Sequence, residues 1–266
     1  MNKSYALITG ASSGIGLEIS NSLAKRGYNI LLTSRREKVL KNISINIKKK
    51  YNVNVDLYAC DLNHEESPSK IYKYCESNGY VIDILVNNAG YAIPTLFHKT
   101  SLKDEEDFIR VLGTSVISLS KLFLKNMIEN NYGRIMIVSS VAAFAPPSKI
   151  QSLYGPIKTF MNRFSESLNL SYNRNGITST AVCPGYTVTN FHSSSGVQDE
   201  MDRVPNFLKK SSKRIAEEAV IATLNGKKVC VPTKTWKIIV FLIKILPNPI
   251  FSILSRKMAP GRYEKK

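Results

Sequence analysis

The chain has 266 residues, 43% apolar and 21% charged, enough to bury a sizeable core and too apolar for a disordered or low-complexity protein. Fourteen Gly and eleven Pro exclude collagen-like and linker-like chains, and four cysteines without a C-x-x-C pair, beside three histidines, argue against a metal site or a disulfide framework. Lys and Arg number 37 against 20 Asp and Glu, a formal net charge of +17 that suits nucleic acid, a membrane surface or an anionic ligand, or lysines on solvated faces. From Arg203 to Lys266 there are fifteen Lys or Arg and three Glu, so twelve of the seventeen net charges lie in the last quarter. No zinc-finger spacing, aromatic-basic run or helix-turn-helix signature accompanies them, and no nucleic-acid partner is expected. Met1-Asn2-Lys3 leads straight into a strand-like stretch without an h-region or cleavage site, which makes the cytoplasm the expected compartment.

In chain order, Tyr5–Thr9, Asn29–Ser34, Val53–Ala59, Ile82–Asn87, Gly133–Ser139 and Ile177–Val182 read as short strands, most of them β-branched and apolar nearly throughout. Between them Ile15–Arg26, Glu37–Lys50, Glu65–Ser77, Leu102–Asn130 and Ser152–Asn173 have helix length. Strand and helix in regular alternation predict a doubly wound α/β sheet of about seven parallel strands with helices on both faces. No linker divides the chain, so residues 1–266 are expected to form one domain. Beyond residue 190 the pattern loosens. Residues 186–212 suit a substrate lid, Lys213–Asn225 a helix, Lys228–Pro232 a last strand, and residues 234–266 a basic, apolar C-terminal extension.

Thr9-Gly10-Ala11-Ser12-Ser13-Gly14-Ile15-Gly16 follows the first strand and opens the first helix. Glycines there permit a tight turn and a close approach of backbone N–H groups to a pyrophosphate, and the helix N-terminus adds positive potential. Gly10, Ser12, Ser13, Gly14, Ile15 and Gly16 are therefore expected to cradle a dinucleotide. Tyr154 and Lys158 stand at i and i+4 on a helix, hence on one face, where an ammonium would favour the phenolate.

The G-x-x-x-G-x-G spacing resembles that of the short-chain dehydrogenase/reductase family. Further motifs of that family stand in order: Asp61-Leu62, Asn87-Asn88-Ala89-Gly90, Tyr154-x-x-x-Lys158, and Pro184-Gly185 with Thr187. The resemblance covers about residues 5–190 and implies a Rossmann-type oxidoreductase. Its motifs imply that Tyr154 is the general acid/base, that Lys158 lowers its pKa and holds the nicotinamide ribose, and that Ser140 polarises the substrate carbonyl. They also imply that Asp61 and Leu62 flank adenine, that Asn88, Ala89 and Gly90 line the adenosine side, and that Pro184, Gly185 and Thr187 meet the cofactor.

Thr33-Ser34-Arg35-Arg36 carries no acid where NAD-preferring members would place one, so Arg35 is expected to pair a 2′-phosphate and the cofactor to be NADP(H). Two departures stand out. Ser140 lies fourteen residues before Tyr154, one more than is usual in the family, and Leu112 occupies the position of a helix Asn that helps hold a proton-relay water. Ser115 or a backbone carbonyl could substitute; otherwise the relay is slower, or the chain is a catalytically weak NADP(H)-binding scaffold. The apolar stretches Ala92–Phe97, Ala143–Gln151 and Tyr186–Asn206 favour a small hydrophobic carbonyl or alcohol substrate. The resemblance also implies a homodimer or homotetramer. Finally, the run from Trp236 to Leu246, about 16 Å long as a helix, is too short to span a bilayer core of ~30 Å. It suits either peripheral contact with anionic membrane, Trp236 at headgroup level, or an apolar cover over the pocket.

Overall fold

The computed structural model describes residues 3–148, 150–189 and 204–245. Strands β1 (Lys3–Thr9), β2 (Asn29–Ser34), β3 (Val55–Ala59), β4 (Tyr80–Asn87), β5 (Gly133–Val138), β6 (Ile177–Val182) and β9 (Val229–Cys230) form one parallel sheet in the order β3-β2-β1-β4-β5-β6-β9. Ala6, Leu7 and Ile8 of β1 are fully buried, as are Ile30, Leu31 and Leu32 of β2, because both sheet faces are covered. On one face α1 (Gly14–Ala24), α2 (Glu37–Tyr51) and α7 (Ser212–Leu224) bury Ile19, Leu40, Ile43 and Val220. On the other, α3 (Ser67–Ser77), α4 (Leu102–Ile109), α5 (Ser115–Glu129) and α6 (Tyr154–Tyr172) bury Ile71, Phe108, Leu119 and Met161.

Local chemistry explains several boundaries. Ser101 and Asp104 form a reciprocal capping box that starts α4. Glu37 in the first turn of α2 and Lys48, Lys49 and Lys50 in its last complement the helix dipole, and Asn52 ends it in the left-handed conformation at φ 54°. Ser22 of α1 and Arg26, just past its C-terminus, both bond the Glu217 carboxylate of α7, which Arg26 above all holds down to a pKa of about 2.

One sequence expectation changes, and two others fall partly outside the described residues. The single helix expected over Leu102–Asn130 is interrupted by a π-helical turn at Arg110–Thr114, a local insertion that apolar periodicity does not reveal. The expected lid falls partly outside the described residues, but its ends are pinned by a two-stranded parallel sheet of β7 (Thr187–Val188) and β8 (Lys210–Ser211). Part of the C-terminal extension is helix α8 (Lys234–Ile245); residues 246–266 lie outside the described residues.

The strand order reverses at β1, whose neighbours β2 and β4 are reached by crossovers on opposite faces. A crevice opens beyond the carboxyl ends of the strands at such a switch point, and the motif residues converge there.

Candidate active site

Two adjoining clefts at this edge share Gly10, Ser13, Ala89, Gly90 and Tyr91 and form one groove. Its floor is stitched together by side-chain-to-backbone hydrogen bonds. The Thr9 hydroxyl accepts the N–H groups of Asn88 and Ala89 at 2.9 and 3.0 Å, and the Asn88 side-chain amide donates to the carbonyls of Thr9 and Gly10 at 2.9 and 3.3 Å. Gly10 turns the chain at φ +65°. Gly16 lies beneath the groove rather than in its lining: a Cβ there would sit 2.5 Å from both the Asn88 amide nitrogen and the Gly10 carbonyl oxygen, so only glycine lets α1 start this close to the sheet. Ser13, at the N-cap of α1, makes no side-chain cap bond, which leaves the first turn's N–H groups facing the groove without a capping hydroxyl.

One arm of the groove collects Ser12, Arg35, Arg36, Asp61 and Leu62. Arg35 lies 3.9 Å from the Asp61 carboxylate, whereas the Arg36 guanidinium donates to Ser12 Oγ at 2.8 Å and Ser13 Oγ at 3.3 Å. Arg36 is thus the arginine drawn toward the glycine-rich turn. The sequence shows both arginines, but only the fold distinguishes them.

The other arm brings Gly14, Ile15, Asn88, Ser139, Ser140, Tyr154, Lys158, Pro184, Gly185 and Thr187 together with Val138 and Leu112. Tyr154 opens α6 and Lys158 follows one turn later, its Nζ 5.6 Å from the centre of the Tyr154 ring and 2.9 Å from the Val138 carbonyl, to which it donates. Lys158 is 7% exposed, and burial lowers its pKa from 10.5 to about 8. The two serines have separate tasks. Buried Ser139 donates to the Lys158 carbonyl at 3.0 Å, holding α6 against β5. Ser140 accepts the Ala142 N–H at 3.1 Å, which leaves its own hydroxyl proton to donate. The backbone then ties the rim: Val141 N–H bonds the Pro184 carbonyl at 2.9 Å, and Gln151 N–H bonds the Thr95 carbonyl at 3.3 Å.

Tyr91 and Thr189 also line the groove and were not singled out by sequence, although Tyr91 directly follows Asn88-Ala89-Gly90 and Thr189 lies two residues beyond Thr187. Burial pushes the Tyr91 phenol up to about 12, so it is no proton carrier near neutral pH. Leu112 is 2% exposed in the π turn, and a Cβ on Gly90 would lie 3.4 Å from its Cγ. Ser115 does not replace the missing amide. It lines a different depression, and its hydroxyl is bonded to the Val111 carbonyl at 2.8 Å.

The short chain dehydrogenase family model matches residues 4–200. The chain is 35% identical over 191 residues to the 3-oxoacyl-(acyl-carrier-protein) reductase FabG of Buchnera aphidicola subsp. Schizaphis graminum (strain Sg), covering 71% of this chain and 76% of that one. It is 30% identical over 274 residues to the very-long-chain 3-oxoacyl-CoA reductase of Rattus norvegicus, covering 98% and 82%. A short-chain dehydrogenase from Sphingobium yanoikuyae in complex with NADPH superposes with a TM-score of 0.81 at 25% identity, over 92% of this chain and 96% of that one. A glycine turn under a switch-point groove and a Tyr–Lys pair at its end accompany a family match over most of the chain: the protein belongs to the short-chain dehydrogenase/reductase family of oxidoreductases.

Proposed function

We propose that the protein is an NADPH-dependent reductase that interconverts a hydrophobic ketone or aldehyde with its alcohol. The observation that carries this reading is the convergence of Ser140, Tyr154 and buried Lys158 at one end of a groove whose other end holds Arg35 and Arg36. The groove fits a dinucleotide phosphate: an uncapped helix N-terminus over Gly14 suits the pyrophosphate, and the Arg36 guanidinium beside Ser12, with Arg35 lining the same arm, suits a 2′-phosphate. Bound there, NADPH would supply the hydride. Ser140 donates a hydrogen bond to the carbonyl oxygen and Tyr154 delivers its phenolic proton to that oxygen as negative charge develops. Lys158, with its ammonium anchored on the Val138 carbonyl, stabilises the phenolate left behind.

A second reading, a nucleotide-binding scaffold with negligible turnover, is favoured by Leu112, an apolar side chain where a relay amide would sit. NADPH consumption measured against a panel of apolar ketones and aldehydes separates the two. Tyr154→Phe is expected to abolish turnover while leaving the NADPH dissociation constant nearly intact. Tight NADPH binding without turnover on any carbonyl supports the scaffold, and more than a few per cent residual activity in the Phe variant removes Tyr154 from the mechanism.

A further inference from the structure

Helix α8 packs on the rim of the groove by one face and exposes the other. Trp236 is 4% exposed, donates its indole N–H to the Leu208 carbonyl at 3.0 Å, and lies 5.7 Å from the Tyr186 ring. With Val204 and Leu208 it forms a small apolar cluster against Val141 and Ile239. The fit is close enough that a Cβ on Gly185 would lie 1.9 Å from the indole. Successive residues turn by about 100° around a helix, which carries Ile238, Phe241 and Ile245 to the side opposite Trp236. Those three side chains are 61%, 62% and 58% exposed. Lys234 stands among them, and Lys237 and Lys244 run along one flank. Lys237 has Glu218 of α7 at 3.9 Å, Lys244 lies over the Phe144 ring at 5.0 Å, and the helix itself contains no acidic residue.

A helix lying on a protein surface normally turns polar residues to solvent. Here the solvent side is apolar and bordered by cations, and core packing accounts for none of the three large exposed side chains. An apolar face bordered by lysines is what an anionic lipid surface complements. Twelve residues of helix measure about 18 Å, short of the ~30 Å hydrocarbon core, and no helix among the described residues is long and apolar enough to cross a membrane.

We propose that α8 docks the protein flat on an anionic bilayer. Ile238, Phe241 and Ile245 enter the boundary between headgroups and acyl chains, and Lys234, Lys237 and Lys244 meet lipid phosphates. Trp236 serves as the inward anchor of the helix, not as an interfacial residue. Because the inner face of α8 holds Tyr186 and Val141 beside Pro184 and Ser140, docking sets the rim of the groove at the lipid surface. The proposal does not depend on the reaction proposed above, and its test uses no turnover.

The test is co-sedimentation of the full-length chain with phosphatidylcholine vesicles and with vesicles of phosphatidylcholine and phosphatidylglycerol, at low and high salt. Binding is expected only to the mixed vesicles, weakened by salt, about fivefold weaker for Lys234→Gln at low salt and roughly tenfold or more weaker for the triple variant Ile238→Ser, Phe241→Ser, Ile245→Ser. The triple variant is expected to keep its unfolding midpoint and its sedimentation coefficient in the absence of lipid, since the three side chains are exposed. No binding to mixed vesicles at low salt, or undiminished binding by the triple variant, would overturn the proposal. A triple variant that dissociates an oligomer would assign the face to a second copy of the chain and also overturn it.

Discussion

Replacing Lys158 by Met should make the nucleotide-free protein more stable at neutral pH while destroying its activity. Met keeps most of the stem's apolar volume and removes a charge that burial disfavours, lowering the pKa from 10.5 to about 8. At 1.36 kcal/mol per pKa unit, holding the ammonium in this site costs about 3 kcal/mol. Losing the bond to the Val138 carbonyl returns about 1 kcal/mol of that, so the expected net gain at pH 7 is about 2 kcal/mol. The folded-state pKa lies below the unfolded one, so between pH 8 and 10.5 the unfolded chain binds more protons and wild-type stability rises relative to the variant. The cost is present in full below pH 8 and fades as pH climbs through that window. Urea denaturation of both proteins at pH 7 and pH 10 isolates the effect, because other titrations cancel in the difference. The two curves should draw roughly level at pH 10. A difference that does not change with pH, or a Met variant less stable than wild type at pH 7, would refute a buried ammonium that its one hydrogen bond only partly compensates.

Arg36→Ala and Arg35→Ala should each raise the NADPH dissociation constant roughly tenfold and leave NADH binding within about twofold, since only the former carries a 2′-phosphate to pair; equal wild-type affinities for the two nucleotides would count against this. Trp236→Ala should cost about 3–5 kcal/mol in denaturant unfolding, because it empties a buried site and strands the Leu208 carbonyl; a loss below about 1 kcal/mol would mean α8 is not packed as described. The chain should sediment as a dimer or tetramer: Ile117 on α5 and Phe160 and Leu170 on α6 are 38%, 47% and 74% exposed, and Phe160→Asp should yield monomer. A wild-type monomer at micromolar concentration would rule that assembly out.

The sheet was legible in the sequence because its strands are apolar on both faces and each is followed by a helix with the right period. β2 and β6 run over the residues that patterning assigns them, Asn29–Ser34 and Ile177–Val182. The groove was legible for a different reason: its turn at Gly10 and Gly14 and the close approach at Gly16 need glycine, and the three leave a mark that ordinary side-chain packing would not. The choice between neighbours was not legible. Ser139 and Ser140 are identical in sequence, and only the bond from Ser139 to the Lys158 carbonyl shows which hydroxyl is already committed. Arg35 and Arg36 divide in the same way, one beside Asp61 and the other on Ser12 and Ser13.

Two features escaped periodicity altogether, and they bear on how the site works. The π turn at Arg110–Thr114 inserts its extra residue without disturbing the apolar spacing on either side, so Leu102–Asn130 reads as one helix. Leu112 sits in that turn under Gly90, and Ser115 is spent on the Val111 carbonyl, so neither side chain on this helix can hand a proton to Lys158. The acceptor that does reach the ammonium is the Val138 carbonyl, at the end of β5. Trp236 shows the same limit at the other side of the groove. The segment around it is apolar nearly all round, so its sequence fits an interfacial helix and a pocket cover equally well. The ambiguity is resolved by the carbonyl of Leu208, 28 residues earlier in the chain, which takes the indole proton and turns Trp236 inward. With that face committed inward, Ile238, Phe241 and Ile245 are left exposed on the opposite side, and it is this side that the proposed docking uses.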